Sequence, residues 1–157
     1  MTLLEIRKQF GLSQAYAAKI AGLPLRTYIR YEGDNAYGSD LKRNAIIKII
    51  VEKCEITEEK GVLTVNQIAN GVCNVINREY QNVVSFCYLF GSYAKGYASE
   101  KSDVDLCVST SLTGLDFVGL SEKIHQALHK NIDLIRLNIA NNDLINEIMK
   151  DGIKIYG

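Results

Sequence analysis

Phe90-Gly91-Ser92-Tyr93-Ala94-Lys95-Gly96, followed by Ser102-Asp103-Val104-Asp105-Leu106, is the stretch on which the fold and chemistry of this chain turn. Its pattern is Gly-Ser, ten residues, then Asp-x-Asp. An apolar run of β-branched and aromatic residues over 83–90 leads into it and predicts a strand that ends at the glycine. A strand ending in Gly-Ser presents backbone N–H groups and a hydroxyl at a turn. Such a concave turn binds phosphate oxygens. A second strand is expected over 103–109. Residues i and i+2 of a strand project to one face, so Asp103 and Asp105 aim two carboxylates at one point. Like charges that close repel unless a cation sits between them, and hard oxygen ligands beside a phosphate site suggest Mg²⁺.

Working outward, Asn131-Ile132-Asp133-Leu134-Ile135 opens a third strand over 132–137. If that strand lies beside the second, Asp103, Asp105 and Asp133 meet at one end. Three carboxylates around two metal ions suit in-line attack on phosphorus. Helical patterns occupy residues 62–79, 116–130 and 142–150, and a short apolar end follows at 153–156. Strands alternating with helices indicate an α/β or α+β sheet domain. A lone Asp-x-Asp is common on protein surfaces. The glycine-serine turn, the interval and the third strand-borne aspartate together carry the signal.

The first third of the chain differs. Thr2 with Glu5 is a capping box, and Gly11 stops the helix that it opens. Ser13 caps a second helix carrying Ala17, Ala18 and Ile20. Gly22-Leu23 is a tight turn, and Pro24 suits the first position of a third helix. Ser39 caps a fourth. Tyr28 and Tyr31 are three apart and turn inward, which leaves Arg26, Thr27 and Arg30 on the opposite, exposed face. Two short helices joined by a glycine turn form a DNA-reading unit, and arginine is the commonest reader of guanine edges. Residues 56–61 are polar, end in glycine and read as a linker. The division is therefore 1–55, a linker at 56–61, and 62–157.

Charge follows the same division. Residues 1–53 hold nine Lys/Arg against five Asp/Glu, whereas 54–157 hold nine against thirteen. A basic head on an acidic body hints at nucleic-acid contact at the N-terminus. No apolar run is long enough to span a membrane, and no secretion-signal pattern opens the chain, so a cytoplasmic protein is expected. Cys54, Cys73, Cys87 and Cys107 form no C-x-x-C pair, which leaves buried, reduced thiols rather than a zinc knuckle. His125 and His129 are four apart on a helix, without an acid or cysteine to complete a metal site. Of the nine tyrosines, Tyr93 alone adjoins the phosphate loop and raises the idea of self-modification, which is not the reading adopted.

Two resemblances follow from these residues. The stretch 62–157 resembles the minimal nucleotidyltransferases of the polymerase-β-like superfamily, with an α+β fold on a mixed sheet. That resemblance implies Gly91 and Ser92 on the nucleotide phosphates. It implies Asp103, Asp105 and Asp133 on two Mg²⁺ ions, with Asp133 assisting the nucleophile. Many relatives carry arginines in the Gly-Ser loop; Tyr93 and Lys95 stand there in this chain, and Lys95 supplies a phosphate charge without a bidentate fork. Members of this family commonly act as antitoxins beside a HEPN-type ribonuclease toxin. ATP is then the substrate, and AMP is transferred to a tyrosine of the toxin. The stretch 1–55 is similar to Xre/Cro-type helix-turn-helix domains at Ser13-Gln14, Ala18, Gly22, Thr27, Arg30 and Glu32, and departs from them at Tyr16, Ala17 and Pro24. It implies binding to operator DNA through Arg26, Thr27 and Arg30. Two other readings remain at this point: a regulator whose second domain only binds nucleotide or occludes a partner, and a nucleotidyltransferase acting on a small molecule.

Overall fold

A computed structural model describes all 157 residues. The chain divides into two compact units, Met1–Glu55 and Ile56–Gly157.

The first unit is four helices: α1 (Leu3–Gln9), α2 (Gln14–Ala21), α3 (Leu25–Gly33) and α4 (Asp40–Cys54). Their starts follow from local chemistry. Thr2 and Glu5 form the expected capping box, and the Ser13 and Ser39 hydroxyls accept from Tyr16 N and Lys42 N. Each cap satisfies an N–H that the first turn leaves without a partner. Pro24 departs from expectation. It stands one residue before α3 as the N-cap, and its carbonyl accepts from Tyr28 N. Leu3, Ile6, Ala17, Ala18, Tyr28, Tyr31, Ile46 and Ile50 fill the core. Two arginines staple it. Arg7 grips Glu32 through two hydrogen bonds of 2.7 and 2.9 Å, and Gln14 donates to the same carboxylate. Buried Arg43 donates to the carbonyls of Asp34, Asn35 and Tyr37, which fixes the turn between α3 and α4.

The second unit holds α5 (Val65–Val75), a π-helical turn at Ile76–Tyr80, β1 (Val84–Phe90), α6 (Gly91–Lys95), β2 (Val104–Thr110), α7 (Gly114–Leu128), β3 (Ile132–Arg136), α8 (Asn142–Asp151) and β4 (Ile153–Tyr156). The sheet order is β3-β2-β1-β4. β1 runs antiparallel to β2 and to β4, and β2 runs parallel to β3. The sheet is therefore mixed, with α7 as the crossover that a parallel pair requires. Side chains alternate between its faces. Leu89, Leu106, Val108 and Leu134 join the main core under α5 and α7. Phe90, Cys107 and Ile135 point the other way, toward Ile148 and Leu144 of α8.

Three sequence expectations need correction. The Gly-Ser turn is the start of a one-turn helix, α6, rather than an open loop. The apolar end at 153–156 is a fourth strand, paired with β1. Residues 56–61 are tied into the second unit rather than free. Thr57 and Lys60 bridge each other, and Gly61 N donates to Glu100 Oε1 at 3.1 Å. The cause lies at Lys130, whose side chain is fully buried. A buried ammonium needs acceptors. Lys130 Nζ donates to Glu100 O at 2.6 Å and to Lys60 O and Glu58 O at 3.3 and 3.4 Å. Burial also lowers its pKa from the ordinary lysine value.

Candidate active site

Register places the acids. In the β1–β2 ladder Asp105 lies opposite Phe90, and in the β2–β3 ladder Asp105 lies beside Asp133. Cross-strand neighbours share a face. Asp103 stands one residue before β2, two residues from Asp105, and so belongs to the same face. That is the α8 face, at the end where β1 gives way to α6. Asp103 and Asp133 are exposed, whereas Asp105 is half-buried.

Gly91 is positioned for a reason beyond its turn. Its φ is +69°, and a Cβ built there would overlap Asp105 Oδ2 and lie 2.9 Å from Asp105 Cγ. Only glycine lets the strand end and the carboxylate approach this closely. Ser92 follows in half-buried surroundings, and its carbonyl accepts from Gly96 N at 3.0 Å and Tyr97 N at 3.1 Å. Tyr93 is buried with Leu63 in the main core, so it faces neither phosphate nor solvent and is not placed for modification. The loop that carries Asp103 is held by Ser99 N donating to Ser102 Oγ at 2.8 Å and by Lys130 on Glu100 O.

Electrostatics mark Asp105 as the focus. Burial, then the charges of Asp133, Asp103 and Glu147, push its carboxyl up to about 6. Burial is the largest cause of that shift, and like charges, which disfavour one another's ionised form, add to it. Glu147, on α8, was not anticipated from the sequence. Its Oε1 lies 2.6 Å from Lys95 Nζ, so the lysine expected on the phosphates is held by a carboxylate. That pairing comes first among the causes that raise the Lys95 pKa.

As their side chains stand, no three His, Cys, Asp or Glu residues converge on one point. The donor set nonetheless suits Mg²⁺: hard carboxylate oxygens from Asp103, Asp105 and Asp133, on one face and within range of each other's charge. The two histidines take other roles. His125 Nδ1 pairs with Lys130 O at 2.8 Å and its Nε2 lies 3.2 Å from Glu58 Oε1, while His129 caps α7 with φ +55°. Cys87 and Cys107 are buried. In the first unit Arg26 and Arg30 are exposed, Thr27 is half-buried, and the Arg30 guanidinium lies 4.8 Å over the Tyr37 ring. No helix is long and apolar enough to cross a membrane.

Residues 73–157 match the family model described as polymerase beta, nucleotidyltransferase. The protein adenylyltransferase MntA of Shewanella oneidensis is 34% identical over 73 residues, covering 45% of this chain and 52% of that protein. The chain thus spans about half the length of this curated relative. A crystal structure of a toxin–antitoxin complex with AMP-PNP contains a chain that is 26% identical, with a TM-score of 0.51 over 57% of this chain and 73% of that one. A mutant MntA toxin–antitoxin complex aligns at 24% identity and a TM-score of 0.51, again over 57% and 73% of the two chains, a likeness of fold.

Proposed function

The chain belongs to the polymerase beta, nucleotidyltransferase family, and we propose that it is an antitoxin acting as a protein adenylyltransferase. It transfers AMP from ATP to a tyrosine hydroxyl of a HEPN-type ribonuclease toxin and so silences it. The observation that carries this is the register of Asp105 against Asp133, with Asp105 packed on Gly91 where β1 ends. The relative named a protein adenylyltransferase and the toxin–antitoxin fold neighbour with AMP-PNP support the acceptor and nucleotide classes.

The chain's own residues divide the work. Gly91 and Ser92 offer backbone N–H groups and a hydroxyl to the phosphates, and Lys95 stands one turn on as a cation. Asp103, Asp105 and Asp133 would hold Mg²⁺, which neutralises charge on the triphosphate and the leaving pyrophosphate and lowers the pKa of the attacking hydroxyl. Asp133 is exposed at the site's open side, where it orients the incoming tyrosine hydroxyl. The new bond joins that oxygen to the α-phosphorus as the bond to pyrophosphate breaks in line. Positioning and electrostatics supply most of the acceleration.

The first unit is proposed to bind operator DNA through α3, with Arg26, Thr27 and Arg30 outward. It would let the antitoxin repress its own operon from the cytoplasm.

The test is transfer of label from α-phosphate-labelled ATP, with Mg²⁺, in lysate of the native host. A single labelled protein band with wild type, absent with Asp103→Ala/Asp105→Ala, supports the proposal and identifies the acceptor by mass. No band, with the toxin shown to be present, refutes protein adenylylation and favours a nucleotide-sensing regulator or a small-molecule acceptor.

A further inference from the structure

Lys95 and Glu147 form a contact that the transfer chemistry does not use. Lys95 ends α6, and its Nζ is 2.6 Å from Glu147 Oε1 on α8. Asp151 lies four residues beyond Glu147 and adds its charge at Lys95. Positions four apart share one helix face, so α8 turns two acids toward the end of α6. The helix is anchored there by Ile148 and Leu144, packed with Phe90 and Cys107 on the face that also carries Asp105. Glu147 therefore faces both the cation of the glycine-serine segment and the aspartate array. Both partners are about one-third exposed, 31% for Lys95 and 35% for Glu147, so the pair can open without disturbing the core.

A polyphosphate entering at Gly91 and Ser92 meets a lysine whose charge is already matched. It also meets a carboxylate that repels it. One ammonium cannot serve both anions fully, and screening is weaker between helices than in open water.

We propose that Glu147 is an affinity-setting residue of the nucleotide site: it competes with the polyphosphate for Lys95, and nucleotide binds by exchanging Glu147 for phosphate at that ammonium. This rests on the nucleotide-transfer function proposed above and deepens it. The step is an exchange of ion pairs, with no covalent bond changed. Glu147 acts through Lys95 and is not itself a catalytic residue.

A double-mutant cycle tests it, with Kd for a non-hydrolysable ATP analogue measured by calorimetry in Mg²⁺ on the full chain. Glu147→Gln should tighten binding about two- to five-fold, the range of a partly exposed ion pair. Lys95→Met should weaken binding, and Glu147→Gln should then tighten it by clearly less, because only the direct repulsion of the polyphosphate by Glu147 remains to be relieved in the Lys95→Met background. Lys95→Arg keeps a charge and should restore the response to Glu147→Gln. Unchanged binding in Glu147→Gln overturns the inference, as does an equal change in both backgrounds. An equal loss in both would mean that Glu147 serves the divalent ion instead. The proposed function is separable from this outcome. If wild type transfers label while the cycle is additive, only the role of Glu147 falls; if wild type neither binds nucleotide nor labels an acceptor, both fall.

Discussion

Replacing Asp105 by asparagine should make the metal-free protein more stable while abolishing transfer. The carboxyl ordinarily titrates near 3.8 and is pushed up to about 6 by burial and by Asp133, Asp103 and Glu147. An acid whose pKa is higher in the fold than in the unfolded chain is favoured protonated in the fold. Its ionised form therefore costs stability. The cost is absent below the unfolded value, grows as pH rises through the folded value, and is complete above it. The full shift corresponds to about 3 kcal/mol. Asp105 is half open to water, and screening reduces this to about 1–2 kcal/mol. Asparagine keeps the shape that lies against Gly91 and removes the charge.

Native-state amide exchange in β1 and β2 reports on the second unit separately from the first. With chelator present at about pH 8, the most protected amides of Asp105→Asn should exchange roughly 5- to 30-fold more slowly than wild type, after correction for intrinsic rates. At about pH 3, below the unfolded value of 3.8 where the cost is absent, the ratio should shrink toward unity. Faster exchange in the variant at the higher pH would refute the electrostatic account, and so would a gap that persists at the lower pH. Transfer of labelled AMP by the same variant should be lost at the higher pH.

Gly91→Ala should destabilise the second unit by about 1–3 kcal/mol through its left-handed φ; the new methyl group also displaces Asp105, so transfer should fall as it does in Asp105→Asn, read by urea unfolding and the labelling assay. Lys130→Met strips three carbonyls of their donor, and urea unfolding should show a loss of roughly 2–4 kcal/mol in the second unit. Arg7→Ala leaves the Glu32 carboxylate, 5% exposed, without its main partner; a loss of about 3–5 kcal/mol is expected in the first unit by denaturant titration monitored by helical signal. Arg26→Ala and Arg30→Ala should each weaken binding to DNA from upstream of the operon and reduce the salt slope by about 1, and unchanged binding in both removes α3 as the reading helix.

Much of the fold was legible because its signals are local. Thr2, Ser13 and Ser39 announced helix starts through hydroxyl caps that the structure contains. The runs before Gly91 and around Asp105 and Asp133 announced three strands through β-branched residues. The adjacency of Asp105 and Asp133 was conditional in the sequence, since nothing local fixes which strands pair, and the parallel register settles it. What stayed hidden is non-local. Ile153–Tyr156 is four residues long and becomes a strand only because β1 has an open edge. Lys130 follows a helix like any solvated lysine, and its burial depends on carbonyls from residues 58, 60 and 100. Glu147 sits among apolar and amide residues with no motif around it; its spacing from Asp151 was the available sign. Tyr93 looked like a loop residue because the strand-to-helix transition at Gly91 turns it inward only when α6 forms.

With the proposed site, the sheet keeps stability and chemistry on opposite faces. α5 and α7 cover one face with the main core, fifteen buried residues strong, whereas three buried residues lie in the cluster under α8. A face sealed by two helices has no room for a nucleotide and an acceptor side chain. The face under α8 is covered only in part, and the aspartates stand where that cover ends. Four acids within reach of one another's charge would be a severe cost inside the main core, because burial strengthens repulsion. At this margin water screens them, and the residual cost falls mainly on Asp105. α8 thus has two consequences from one placement. Its apolar side, through Ile148, closes the sheet over Cys107, and its acidic side brings Glu147 to Lys95. A change that loosened Ile148 would therefore alter nucleotide affinity through Glu147 while leaving the main core under α5 and α7 intact.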